Sequence, residues 1–192
     1  DGDDTLTAYL LTIAHEAGAT DLCMIDIWKP TEIWWKNFRI RCQEKSVPAV
    51  REIVGSIDND DVVRQARLYD VVHCSGVLYH CPNPMLTIAN LAKITSETLI
   101  IGTAVMPEHV SNEFGSSSLR SDEAVFVPGI TEEKRSIYDK YIVDHYGGGA
   151  WAVNHPIEDW YFLNGEPNYG PWWWLWTPGY VRSLIQAVGL EV

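Results

Sequence analysis

No run of 18 or more apolar residues occurs in this chain of 192 residues, so the sequence offers nothing long enough for a transmembrane helix. A basic segment followed by an apolar stretch is missing too; the opening Asp-Gly-Asp-Asp does not read as a signal peptide. Cysteine is scarce. Cys23, Cys42, Cys74 and Cys81 lack C-x-x-C spacing and a neighbouring histidine cluster, so no metal site is expected. Four such thiols in a chain of this size point to a reducing, cytoplasmic setting. Positive charge is also in short supply, with 14 Lys and Arg against 26 Asp and Glu and a net charge of -12. That balance repels a phosphate backbone and disfavours nucleic acid as partner; a cationic cofactor and a small-molecule acceptor fit it better. Residues 2–7 do not supply G-x-G-x-x-G, which argues against the rival reading of an NAD-dependent oxidoreductase.

What is present is a strand–helix rhythm over the first hundred residues, with 46% hydrophobic residues to build a core. Leu6–Ala17 reads as an amphipathic helix closed by Gly18, and LCMIDI at Leu22–Ile27 as a buried strand ending in an acid. Trp34–Glu44 follows as a helix, Val50–Val54 as a strand and Asp60–Arg67 as a short helix. DVVHC at Asp70–Cys74 is the next strand. Asn83 as N-cap and Pro84 at the first helical position then start a helix, and TLII at Thr98–Ile101 is the last strand of the series. This β-α-β-α pattern predicts an α/β fold, a doubly wound, mostly parallel sheet with its ligand at the carboxyl ends of the strands. Residues 104–176 break the rhythm with Gly, Pro, Ser and Asn. They read as a lid and acceptor region containing one helix at Thr131–Asp144. Thr177 and Pro178 start a final helix ended by Gly189, and Leu190-Glu191-Val192 reads as a strand beginning.

Several residues suit a nucleotide-like ligand. Asp26 closes a strand where a carboxylate accepts hydrogen bonds from ribose hydroxyls, and equally suits a solvated loop. Asp58 follows a Gly-Ser-Ile turn, where it either takes an exocyclic amine beside Ile57 or serves as a turn residue. Gly2 and Asp4 lie directly before the first helix, where backbone N–H groups face a ligand. His80 is placed as a general base on an acceptor hydroxyl or as a cap for the Pro84 helix. His145 and His155 bracket the glycine-rich part of the lid. Trp172 to Trp176 either wall an acceptor pocket, with Trp172 and Trp174 foremost, or form core under the last helix.

The run YDVVHCSGVLYHCPNPMLTIANLAKIT resembles the segment after the fourth strand of class I S-adenosylmethionine-dependent methyltransferases. It is most similar to the tRNA wobble-uridine 5-carboxymethoxy methyltransferase family, and VFVPG and WWWLWTPGYVRSLIQAVGLEV agree in order. The resemblance implies a Rossmann-like sheet with a Trp-rich insertion after its fifth strand, cut short at both ends and forming one domain over 1–192. It implies S-adenosyl-L-methionine as cofactor, held by Gly2, Asp4, Asp26, Ile27, Trp28, Ile57, Asp58, Ser75 and Tyr79. Gly102 stands where the family has an acid, and Cys-Pro-Asn-Pro follows His80 in place of arginines. The expected activity is therefore methyl transfer to an O or N atom of a small molecule. The alternatives are tRNA wobble-uridine methylation and a non-catalytic Rossmann-like binding module.

Overall fold

The structure, a computed structural model, describes residues 4–147 and 152–192, with side chains described from Leu10 onward. The chain forms two compact units, Asp1–Leu68 and Tyr69–Val192. Gly2 lies outside the described residues, as does the side chain of Asp4.

In the first unit, α1 (Asp4–Glu16), β1 (Cys23–Asp26), α2 (Ile33–Glu44), β2 (Arg51–Val54) and α3 (Asp60–Gln65) follow in order. β1 and β2 pair in parallel from Cys23↔Arg51 to Asp26↔Val54, so the chain must cross over between them, and α2 is that crossover. Trp35, Phe38 and Cys42 fall at helical spacing on the buried side of α2 and pack with Leu11, Met24, Val47 and Val50. Trp35 and Phe38 meet edge to face at 5.6 Å. The Asn59 side chain caps α3 by accepting from the Asp61 N–H at 2.8 Å.

The second unit opens with β3 (Tyr69–Ser75), α4 (Pro84–Lys93) and β4 (Thr95–Gly102), and β3 and β4 pair in parallel. A polar hairpin follows, β5 (His109–Asn112) with β6 (Gly115–Ser118). Next come β7 (Ala124–Phe126), α5 (Glu132–Tyr146), the small hairpin of β8 (Phe162–Leu163) with β9 (Glu166–Pro167), β10 (Trp174–Trp176) and α6 (Pro178–Ala187). β7 pairs antiparallel with the distant β10. Asn83 caps α4 by accepting from the Leu86 N–H, and Thr177 caps α6 by accepting from the Tyr180 N–H, each followed by proline at the first helical position. One core joins Met106, Val127, Tyr138, Ile142, Trp160 and Trp172; another joins Leu78, Ile88, Trp176, Val181 and Leu184.

The expectation of a doubly wound, mostly parallel Rossmann-like sheet is overturned. Among the described residues every sheet has two strands, two of the sheets being parallel and three antiparallel. The alternation of strand and helix correctly marks each parallel pair, but it carries no information about whether the pairs join. Burial shows the difference. Strands inside a doubly wound sheet are covered on both faces, whereas Val71 in β3 is 58% exposed and Ile100 in β4 is 46% exposed. Residues 104–176, expected to break the rhythm as a lid with one helix, hold six of the ten strands among the described residues, and Leu190–Val192 forms no strand. Among the described residues no helix is long and apolar enough to cross a membrane.

Candidate functional site

The first unit gathers five of the expected residues at the carboxyl ends of β1 and β2. Asp26 ends β1, and its backbone carbonyl accepts from the Gly55 N–H at 2.8 Å, which fixes the turn after β2 beside it. Gly55 has a φ of +144°, and a Cβ there would lie 2.7 Å from the Val62 side chain; only glycine lets the turn pass so close to α3. Within this turn the Ser56 hydroxyl accepts from the Asp58 N–H at 3.2 Å, Ile57 is buried and Asp58 is half-buried. The Asp26 carboxylate accepts from the Trp28 N–H at 3.0 Å and from the Ile27 N–H. Burial raises its pKa above the ordinary aspartate value, and those two N–H groups partly oppose the rise.

The loop leaving β1 is tied down at each step. The Trp35 indole donates to the Trp28 carbonyl at 2.8 Å, and Arg39 donates to the Pro30 carbonyl at 3.0 Å while its Nε donates to Glu52 at 2.9 Å. Trp28 stays 48% exposed on this loop, beside Trp34, which is 37% exposed.

In the second unit Ser75 ends β3 opposite Gly102 in β4. A Cβ at Gly102 would lie 2.2 Å from the Ser75 hydroxyl oxygen, so glycine at this position makes room for this serine. The Ser75 hydroxyl also lies 3.0 Å from Nε2 of His73, two residues earlier in β3. Gly102→Ala should force Ser75 out of its rotamer at a cost of about 1–3 kcal/mol, read as a lowered melting temperature. The penalty should shrink when the same change is made together with Ser75→Ala.

After Ser75 the chain turns through Gly76 into one turn of 3-10 helix at Leu78–His80. His80 does not cap α4, since Asn83 does. Its Nδ1 donates to the Pro171 carbonyl at 3.1 Å. Burial lowers the His80 pKa, opposed by hydrogen bonds to the backbone at Pro171 and Gly170, so the ring is held neutral. With the proton on Nδ1, Nε2 is the basic nitrogen.

Two strings of aromatic rings divide the remaining candidates. Tyr79 lies 4.2 Å from Trp172 and 4.5 Å from His80 between ring centres; Trp172 meets Tyr146, which meets Tyr141, and His145 stacks on Tyr141 at 3.9 Å. His145 is exposed, and its Nδ1 donates to the Tyr141 carbonyl at 2.9 Å in the last turn of α5. The other string runs from His155 through Trp160, Trp173 and Phe126 to Trp174. The structure thus brings Tyr79, His80 and Trp172 into direct contact, reaches His145 through two tyrosines, and sets His155 and Trp174 on a separate string. The Trp174 indole is committed to the Pro82 carbonyl at 3.2 Å.

Sequence reading did not find Asp139, Arg135 and Trp160. Asp139 bonds the Asn154 side chain, and the Arg135 guanidinium lies over the Trp160 ring at 5.6 Å. Asp139 Oδ1, His155 Nε2 and Trp160 Nε1 are buried without a hydrogen-bond partner among the described residues. The i, i+4 spacing of Arg135 and Asp139 was the available signal, but it does not show which segment packs over that face. Among the described residues no three of His, Cys, Asp and Glu gather as a metal site, and no cysteine forms a disulfide. Compared with protein-family models, with curated proteins and with solved structures, the chain finds no match in any of the three.

Proposed function

We propose that this chain binds S-adenosyl-L-methionine and transfers its methyl group to an O or N atom of a small-molecule acceptor. The observation that carries the reading is Asp26 at the carboxyl end of a parallel strand, hydrogen-bonded through its backbone to the Gly55–Asp58 turn. A carboxylate offers about four lone-pair sites, so the bonds from Trp28 and Ile27 leave capacity for the two hydroxyls of a ribose. Asp58 and Ile57 in the adjacent turn suit the amine and the face of an adenine. The residues therefore fit the nucleoside part of this cofactor.

When bound, the cofactor supplies an electrophilic methyl group on a sulfonium, and in-line displacement needs alignment more than covalent help. Asp26 and Asp58 hold and orient the nucleoside. Within the second unit, His80 offers Nε2 as a base for a hydroxyl or amine bound there. The buried atoms at Asp139, His155 and Trp160, which have no hydrogen-bond partner among the described residues, support a polar acceptor able to meet them. The net charge of -12 supports a small molecule over tRNA, and four cysteines outside any disulfide support a cytoplasmic location.

Calorimetric titration of the chain with S-adenosylmethionine and, separately, with NAD tests the reading. Saturable binding of the first and none of the second is expected; binding of neither would leave a non-catalytic module. The base assignment has its own test in the His80 ring, followed by NMR across pH. Its pKa should fall below the ordinary histidine value, so the neutral form prevails at neutral pH and is lost only as pH drops. A value at or above the ordinary one would remove His80 as base.

A further inference from the structure

Trp28 and Trp34 stand out as two large apolar side chains left half in water on the most firmly braced loop of the first unit. Neither belongs to the core of Trp35, Phe38 and Cys42. Exposure of indole on a mobile loop would signify little, but this loop has few ways to move. Asp26 holds the Trp28 N–H, Trp35 holds the Trp28 carbonyl, and Arg39, itself held by Glu52, holds the Pro30 carbonyl. Trp34 sits in the first turn of α2, one residue before the buried Trp35 whose indole makes that bond. Ile33, the first residue of α2, is 53% exposed.

The two indoles are 6.3 Å apart between centres and tilted by 40°. A flat base sandwiched between rings needs parallel faces about 7–8 Å apart, twice the ordinary carbon–carbon contact distance. This pair is too close and too tilted for that. It touches itself on one side and presents a single bent aromatic surface on the other.

We infer that Trp34 and Trp28 together form the stacking surface for the purine base of the nucleoside whose ribose Asp26 holds. This rests on the nucleoside reading above and adds Trp34 as a binding residue. The base lies against one indole face and meets the other ring at its edge, an arrangement that aromatic pairs favour. The acid two residues before Trp28 explains why the occupant is a nucleoside: the Trp28 and Ile27 N–H groups fill only part of its accepting capacity, and ribose hydroxyls fill the rest, which a purely apolar partner does not.

The test is calorimetric titration of the full chain with adenosine and with S-adenosylmethionine, in the unmodified protein, in Trp34→Ala and in Trp34→Phe. Stacking of a base on an aromatic side chain is strong enough that Trp34→Ala should weaken both ligands roughly 5- to 150-fold. Trp34→Phe should recover most of the loss. Far-UV circular dichroism and the melting temperature should stay unchanged, since Trp34 lies outside the core. Tight binding by the unmodified protein with equal affinity in Trp34→Ala would overturn this inference and leave the nucleoside reading standing. Failure of the unmodified protein to bind either ligand would overturn both.

Discussion

Asp26→Asn is expected to lose S-adenosylmethionine and adenosine affinity about 10- to 150-fold while the protein melts no lower than before. The first half follows from the worth of hydrogen bonds to a charged acceptor, about 1.5–3 kcal/mol, which an amide oxygen does not match. The second half follows from the sign of the pKa change. Burial raises the folded pKa of Asp26 above its ordinary 3.8, so the folded protein holds that proton more tightly than the unfolded chain does. Stability from this group is therefore present at low pH, falls as pH rises through the ordinary value toward the raised one, and stays lower above it. Asparagine keeps the bond from the Trp28 N–H and removes the buried charge. The melting temperature of Asp26→Asn should equal or exceed that of the unmodified protein at pH 7, and the gap should close at pH below the aspartate range. A drop in melting temperature together with the loss of affinity would instead make Asp26 a scaffold residue. Such a trade of stability for binding is common where a protein keeps a charge ready for a ligand.

The largest effect on stability is expected from Trp176→Ala. Trp176 is fully buried among Leu78, Ile88, Val181 and Leu184, lies parallel to Tyr180 at 6.4 Å, and donates its indole N–H to the Ala104 carbonyl at 2.9 Å. Truncation removes this packing and leaves the carbonyl without that donor, for a cost of about 3–5 kcal/mol. That is a large part of the 5–15 kcal/mol typical of a folded domain. Urea unfolding followed by circular dichroism should show the midpoint of the second unit moving well down. Trp176→Phe should recover much of the packing but not the hydrogen bond. A loss under about 1 kcal/mol for Trp176→Ala would mean that the space under α6 collapses easily.

Much of the helical structure was legible because helix ends are written locally. Asn83-Pro84 and Thr177-Pro178 start α4 and α6 where the sequence places them, and Gly147, with a φ of +62°, ends α5. Four strands were legible as short apolar runs. The hairpin of β5 and β6 was not, since GSSS has no apolar residue to announce a strand and its one buried position is Ser117. The pairing of β7 with β10 was hidden for another reason: no local pattern joins Phe126 to Trp174. The fold class failed at the same level, because strand–helix alternation describes neighbours in sequence while sheet continuity concerns neighbours in space. At the site, Asp26 and the Gly55 turn were readable because strand ends are. The division of the aromatic residues was not readable, since Trp172, Trp173 and Trp174 are consecutive and only packing decides which string each joins.

The pairing of β7 with β10 also bears on how this protein could change. It clamps the two ends of segment 127–173, which carries α5, His145, His155 and the β8–β9 hairpin. The entropy of closing such a loop grows only with the logarithm of its length, about 0.6 kcal/mol for each doubling. Residues could be inserted at exposed turns inside the clamp, such as that of the β8–β9 hairpin, at small cost, while the core of Tyr138, Ile142 and Trp160 and the helices around Trp176 remain as they are. Length and surface could then vary in a stretch of chain whose two ends stay joined.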